Sequence, residues 1–180
     1  MICVLIGIIL LFILLSAAFK LWAYDYFDFK TDSEMSTFFQ QHKESFDQLI
    51  SSINSEHFEG MILPDGQESD RHMPDAKLKE SQKIIHDLGA HTFIIVRQDE
   101  KGPYIDFPIW GFGQGISCGG PIKGYLYTKE KPIDIVNNLD DFARRGFFEV
   151  TYKDKDGFWT RHLDGDWYIY YYLDNSLNKS

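Results

Sequence analysis

Residues 157–173 read GFWTRHLDGDWYIYYYL, in which two β-rich segments flank an Asp-Gly pair. Aspartate followed by glycine is typical of the tight turns that join antiparallel strands, and Asp164-Gly165 lies midway. The pattern predicts one strand on each side of the turn, over 157–163 and 166–173. Another Asp-Gly pair stands just before the first of these strands and predicts a further turn, preceded by a strand over 146–153. The chain is therefore expected to end in an antiparallel meander.

The last of these strands places three tyrosines on one face. Alternate side chains of an extended strand point to opposite sides of a sheet. One side would carry Trp167, Ile169, Tyr171 and Leu173, and the other would carry Tyr168, Tyr170 and Tyr172. Tyrosine has an apolar ring and a polar tip, so an exposed row of tyrosines can bind a protein or a sugar. If the row is covered, its rings are packing, and the sequence leaves both interpretations open.

Two amphipathic helices are predicted upstream of the sheet. Apolar residues recur at helical spacing over 34–54, and Thr31-Asp32-Ser33 offers N-cap candidates just before them. A second apolar stripe covers 76–88, where Asp75 can cap the start and Gly89 is a natural stop. Both helices would pack their apolar stripes against one face of the sheet.

The chain between and after these helices divides into a long polar connection, three strands and a short helix. Gly and Pro residues break 55–75, which predicts a loop. Strands are predicted over 91–97, 104–110 and 122–128. Pro108 in the second of them indicates an edge position or a bulge, and apolar residues at spacings of three predict a short helix over 131–144. Two helices packed on a mostly antiparallel sheet of about six strands define one α+β domain over 31–180.

An uncharged apolar run, Ile2–Phe19, precedes this domain. As a helix it would span about 27 Å, close to the thickness of a bilayer's hydrocarbon core. We predict a transmembrane signal-anchor over 1–20, followed by an aromatic juxtamembrane segment over 21–30, because Trp and Tyr rings favour the headgroup zone. Ser16-Ala17-Ala18 also fits the small-x-small pattern of a cleaved signal peptide, and that alternative stays open.

Weaker signals set the orientation of the span. Lys20 and Lys30 both lie on its C-terminal side, which opposes export under the positive-inside rule. A single residue precedes the run, however, and a short start with everything else C-terminal is the usual layout of a signal-anchor. We therefore expect a single-pass membrane protein that contacts the lipid bilayer through 2–19. Its C-terminal domain is expected to be periplasmic or extracellular.

Charge and cysteine content exclude several kinds of partner and site. The formal net charge of −9 opposes long-range attraction to nucleic acid. An acidic domain favours basic partners or simply stays soluble. The two cysteines are Cys3 and Cys118, and Cys3 lies within the apolar run, so no internal disulfide is expected. Two cysteines are also too few for a cysteine-based zinc or iron–sulfur site.

The glycine-rich stretch 111–121 is the main candidate for chemistry. Gly115-Ile-Ser-Cys-Gly119 matches the G-x-S-x-G pattern of a serine nucleophile, but that chemistry needs a strand-to-helix turn, and here a strand follows. Cys118 would need a histidine base nearby to act as a nucleophile. We therefore expect no catalytic residue. Phe112 and Gln114 lie in this stretch, whose exposed backbone can meet a ligand or a protein partner.

No metal or cofactor site is expected. The six histidines are scattered, with no pair at i, i+4 on one helix. Asp154-Lys-Asp-Gly157 resembles the start of a calcium loop, but the remaining ligands are missing from the sequence that follows, so a hairpin turn is the better interpretation. The glycines at 111, 113 and 115 lack the helix start and the lysine that a phosphate site needs.

The chain combines an N-terminal anchor, a small acidic α+β domain, no catalytic set and an aromatic final strand, GDWYIYYY at 165–172. In this organisation it resembles small membrane-anchored bacterial immunity proteins, and no single motif carries the resemblance. The resemblance implies a protein outside the cytoplasm that binds and neutralises a toxin. The expected function is therefore extracytoplasmic binding of a protein partner. Two alternatives stay open, namely a cell-envelope enzyme that uses Cys118 and a structural or assembly subunit of an envelope complex.

Overall fold

The structure, a computed structural model, describes residues 30–63, 73–89, 93–100, 102–111, 120–141 and 157–174, together with Leu15. These residues form three helices and a six-stranded antiparallel sheet, which confirms the α+β class. The helices are α1 (Asp32–Gln41), α2 (Lys43–Ser55) and α3 (Asp75–Asp87). The strands are β1 (Gly60–Ile62), β2 (Ile94–Asp99), β3 (Gly102–Gly111), β4 (Gly120–Tyr127), β5 (Gly157–Asp164) and β6 (Trp167–Asp174).

The sheet has the strand order β1-β2-β3-β4-β6-β5. The predicted hairpin at Asp164-Gly165 joins β5 to β6, and Gly165 takes a left-handed φ of 56° that glycine adopts at little cost. Strand β6 pairs with β4 on its other side, so the tyrosine-bearing strand lies inside the sheet. The predicted strand over 146–153 lies outside the described residues.

The predicted helix over 34–54 is two helices, α1 and α2, because the chain breaks at His42. Thr31 caps the first helix through a capping box with Glu34, as its position suggested. Phe39 and Phe46 would lie about 10.5 Å apart along a straight helix. The break brings their ring centroids to 5.2 Å, and both side chains are fully buried. Core packing of these two rings therefore favours the break.

Two other segments differ from the sequence prediction. Part of the predicted loop over 55–75 is strand β1, which pairs with β2 and buries Ile62 fully. The predicted helix over 131–144 is wrong for its described part before Asp140. There the backbone runs beside β5, because Val136 N donates to Thr160 O at 2.7 Å and Thr160 N donates to the Asp134 carbonyl at 2.8 Å. These backbone groups are committed to the sheet edge and unavailable to a helix.

Pro108 marks a bulge, one of the two positions that the sequence allowed. The register between β3 and β4 shifts between Pro108 and Trp110. Strand β3 is internal to the sheet, so the missing proline N–H is accommodated by the irregular pairing instead of by an edge. The stop predicted for the third helix is also found, since Gly89 follows α3 with a φ of 70°.

All three helices pack on one face of the sheet. Their buried side chains join a large aromatic core around Phe46, whose ring lies 4.9 Å from Tyr125 and 5.0 Å from Trp167 in edge-on contacts. Tyr125 also donates its hydroxyl proton to the Met35 carbonyl of α1 at 2.8 Å, which satisfies the buried phenol. The core thus fixes α1 and α2 on the sheet.

No helix in the described ranges is long and apolar enough to span a membrane. The predicted anchor over 1–20, apart from Leu15, and the juxtamembrane segment over 21–30, apart from Lys30, lie outside those ranges.

Candidate functional site: the tyrosine-rich face

The face of the sheet opposite the helices has its own side-chain cluster. It contains buried Leu126, Tyr168 and Tyr170, with half-buried Tyr104, Ile122, Phe158 and Tyr172 packed around them. All seven of these residues lie on strands of the sheet. We call this surface the tyrosine-rich face. Strand register places one continuous row across it, composed of Met61, Ile95, Asp106, Leu126, Tyr168 and His162. Asp106 is the one acid in that row.

The predicted row of tyrosines differs in exposure along its length. Tyr168 is 7% exposed and Tyr170 is 2% exposed, whereas Tyr172 is half-buried. Tyr168 and Tyr170 therefore act mainly as packing, and Tyr172 offers the accessible ring. Phe112 and Gln114, the other predicted binding residues, lie outside the described residues, as do Ser117 and Cys118.

Tyr170 crosses the sheet because Gly124 lies opposite it on β4. A Cβ atom at Gly124 would stand 2.8 Å from Cε1 of the Tyr170 ring and 2.4 Å from the Phe107 carbonyl oxygen. Glycine at this position therefore leaves the space in which the ring leans over β4. The phenol reaches β3, where it hydrogen-bonds to Asp106. Phe158 stacks on the same ring at 5.5 Å between centroids.

The carboxyl group of Asp106 lies between apolar side chains of the neighbouring strands. Its neighbours across the ladder are Ile95 on β2 and Leu126 on β4. Its Oδ1 is buried and accepts no hydrogen bond from the described residues. Burial, opposed by the Tyr170 hydrogen bond and the charge of Arg97, raises the pKa of Asp106 from 3.8 to about 6. Functional sites often hold titratable groups whose pKa is shifted by burial in this way.

A cation and a second tyrosine complete the surroundings of Asp106. The guanidinium carbon of Arg97 lies 5.8 Å from the centre of the Tyr104 ring, a cation–π distance. Burial, together with the nearby charge of Asp106, raises the pKa of Tyr104 to about 12, so its phenol stays neutral and can donate a hydrogen bond. The titratable groups that face Asp106 are thus Arg97 from β2, Tyr104 from β3 and Tyr170 from β6.

The edge of this face carries exposed isoleucines. Ile135 bridges Thr160 of β5, which in turn lies opposite Tyr170, so Ile135 extends the tyrosine-rich face by one position. Its side chain is 38% exposed, and that of Ile133, two residues earlier, is 98% exposed. Exposed isoleucines at the edge of a face that carries half-buried aromatic rings are the kind of apolar surface found at protein contacts.

A buried charge cluster on the helix side has a structural role. It consists of Asp32, Lys123, Asp140 and Arg161. The Lys123 ammonium lies 2.7 Å from Asp32 Oδ1 and 2.7 Å from Asp140 Oδ1, and its side chain is fully buried. It also donates to the Lys30 carbonyl at 2.9 Å. The cluster therefore attaches the start of α1 to β4 and to the segment at 139–140.

In the described ranges, no group of three or more His, Cys, Asp or Glu side chains is placed to hold a metal ion. Sequence reasoning named three of the tyrosines and missed Asp106. The sequence feature that could have identified Asp106 is a single acid in Tyr104-Ile-Asp-Phe107. Its side chain lies on the face of the strand opposite that of buried Ile105 and Phe107.

Comparison with protein-family models, with curated proteins and with solved structures gave no match.

Gly124→Ala is expected to lower the free energy of unfolding by about 3 kcal/mol, because the new methyl group overlaps a backbone oxygen and displaces the Tyr170 ring. Gly89→Ala is the control. Nothing lies within 4 Å of a Cβ there, so its left-handed φ alone should cost about 1 kcal/mol. Urea denaturation measures both. Equal losses for the two variants would contradict the close approach of Tyr170 to β4.

Asp106 should make stability depend on pH. Its pKa is higher in the folded chain, about 6 against 3.8, so the folded state binds the proton more tightly. This contribution is fully present below the lower value and is lost as pH rises through the higher one, by up to about 3 kcal/mol. Asp106→Asn removes the titration. The variant's stability relative to the wild type should therefore rise between pH 4 and pH 7.

Urea denaturation across that pH range measures the effect of Asp106→Asn. Asp87→Asn, at an exposed position at the end of α3, removes the same charge and is the matched control. An equal rise in that variant would mean that loss of a charge, and not the burial of Asp106, causes the effect. A pH-independent difference between Asp106→Asn and the wild type would mean that the carboxyl is not desolvated in the fold.

Proposed function

We propose that this chain is a single-pass membrane protein whose Ile2–Phe19 segment anchors an extracytoplasmic domain, and that the tyrosine-rich face of this domain binds a protein partner. The observation that carries the binding proposal is the pair of exposed isoleucines, Ile135 and Ile133, at the edge of a sheet face on which half-buried Tyr172 packs against the aromatic cluster. Accessible aromatic and branched aliphatic side chains are typical of protein interfaces. Tyr168 and Tyr170 support the face from within.

The charge of the chain favours a basic partner. With a net charge of −9, the domain attracts cations over distances longer than direct contact. The layout that resembles immunity proteins suggests a toxin as that partner. The proposal is therefore an anchored protein that neutralises a basic toxin by covering part of its surface.

Membrane fractionation and a reporter test the location. The full-length protein should stay in the membrane fraction through a carbonate wash, and a reporter fused after Ser180 should be active only outside the cytoplasm. A soluble mature protein that begins near Phe19 would show a cleaved signal, and a cytoplasmic reporter signal would reverse the topology.

A growth assay tests the neutralisation. Each gene that neighbours this one is expressed alone and then together with the full-length chain. One neighbour should inhibit growth, and the full-length chain should restore growth. The absence of any such pair would contradict neutralisation. A folded Cys118→Ser variant should restore growth equally well, since binding does not need the thiol, and its failure would favour the envelope-enzyme alternative.

A further inference from the structure

We propose that Asp106, together with the rings of Tyr104 and Tyr170, forms a subsite for a cationic side chain of the partner, either a guanidinium or an ammonium group. This inference rests on the proposed function and names the chemistry that the tyrosine-rich face recognises.

The first observation that supports the subsite is a hydrogen-bond acceptor, Asp106 Oδ1, that receives no hydrogen from the described residues. The Tyr170 phenol bonds to the Asp106 carboxyl, while Oδ1 is buried and accepts no hydrogen bond from any described residue. Asp106 as a residue keeps partial exposure, so a ligand can approach the carboxyl group from solvent, and a small shift of the surrounding rings would admit its donor to the buried Oδ1. A carboxylate that is desolvated and incompletely bonded is costly to the free protein, and a donor supplied by a partner removes that cost.

The second observation that supports the subsite is the pair of aromatic rings near Asp106, those of Tyr104 and Tyr170. Tyr104 already holds a guanidinium of the chain itself, since Arg97 lies over its ring at 5.8 Å. The ring thus accepts a cation in cation–π geometry at this face. Arg97 lowers the pKa of Asp106 through its charge but supplies no hydrogen to Oδ1. That oxygen can therefore accept a hydrogen from a cation of the partner.

The third support is charge complementarity. The chain carries a net charge of −9, and a basic surface would approach it under favourable long-range attraction. When the tyrosine-rich face docks and excludes water, a cation placed at Asp106 pairs with a carboxylate that is already desolvated. An uncharged side chain at the same place would leave that carboxylate buried and unpaired.

The test uses the full-length chain in a nonionic detergent and follows the carboxyl carbon of Asp106 by NMR between pH 4 and pH 8. The probes are N-acetylarginine amide and N-acetyllysine amide, with N-acetylnorleucine amide as the uncharged control. A bound cation stabilises the carboxylate, so a charged probe should lower the apparent pKa of Asp106 by half a unit or more. The norleucine probe should leave it unchanged. A larger shift with arginine than with lysine identifies a guanidinium subsite, and the reverse identifies an ammonium subsite.

Two variants control the assignment. Asp106→Asn should abolish the probe-induced changes in the ring resonances of Tyr104 and Tyr170, whereas Asp87→Asn, which removes the same charge from the helix layer, should preserve them. No shift with either cation, an equal shift with norleucine, or preserved ring changes in Asp106→Asn would each overturn the subsite.

Binding of the growth-inhibiting neighbour separates this inference from the proposed function. If the neighbour binds the wild type and Asp106→Asn with equal affinity, the subsite is wrong and the binding function stands. If no neighbour binds while the arginine or lysine probe shifts Asp106 as expected, the subsite stands and the neutralising function is wrong. Both proposals together predict at least tenfold weaker binding of the neighbour by Asp106→Asn.

Discussion

Tyr170→Ala is expected to lower the free energy of unfolding by about 3–5 kcal/mol, as emptying a buried aromatic site typically does. The ring is 2% exposed and stacks on Phe158. Its hydroxyl hydrogen-bonds to Asp106, so the variant also leaves that carboxyl without a donor. Urea denaturation of the full-length protein in nonionic detergent gives the value.

Two matched variants sharpen the Tyr170 experiment. Tyr172→Ala removes the same atoms from a half-buried position of the same strand and should cost about 1 kcal/mol. Tyr170→Phe keeps the ring and removes the hydroxyl alone, so its loss should lie between the other two. A loss below about 1 kcal/mol for Tyr170→Ala would contradict the buried position of the ring.

Lys123→Met is expected to destabilise the fold by about 3–5 kcal/mol, because it removes the nearer cation from two largely buried carboxylates and leaves Asp32 with Arg161 alone, 3.6 Å away. The ammonium lies 2.7 Å from both Asp32 and Asp140, and the Lys123 side chain has no exposed surface. Methionine preserves most of the volume, so the loss reports the charge and not a cavity. The same denaturation measurement applies.

Two further variants serve as controls for Lys123→Met. One changes a lysine on the surface, and the other changes an acid of the charge cluster. Lys79→Met, at an exposed position on α3, should change stability by less than about 0.5 kcal/mol. Adding Asp140→Asn to Lys123→Met should recover part of the loss, since one fewer carboxylate is then unpaired. A Lys123→Met protein as stable as the wild type would show that the ion pairs do not hold α1 on the sheet.

Residues adjacent in the sequence were sufficient to predict the elements that depend only on contacts between neighbours along the chain. The β5–β6 hairpin was predicted from Asp164-Gly165 and the alternation beside it, and an N-cap was predicted within Thr31-Asp32-Ser33, where Thr31 forms it. The helix break at His42 was not predictable in this way. It depends on Phe39 and Phe46 meeting the rings of Tyr125 and Trp167, which lie far along the chain.

The role of Asp106 in the candidate site also could not be predicted from its neighbours in the sequence. Its shifted pKa depends on Ile95 and Leu126 beside it and on a Tyr170 ring that passes over Gly124. These residues come from four strands, and no spacing in the sequence relates them. The predicted helix over 131–144 failed for a related reason, since apolar spacing does not reveal that β5 binds the backbone at Asp134 and Val136.

The proposed function requires that the tyrosine-rich face, and not the layer of helices, bind the partner. The affinity of the full-length chain for the growth-inhibiting neighbour, measured by calorimetry in nonionic detergent, tests it most directly. Tyr172→Ala and Ile133→Ser should each weaken binding about tenfold, as expected for truncating an interface anchor. Gln48→Ala, exposed on α2, should bind within about twofold of the wild type, as expected for a surface residue away from the interface. Unchanged affinity for both face variants, or an equal loss for Gln48→Ala, would contradict the claim.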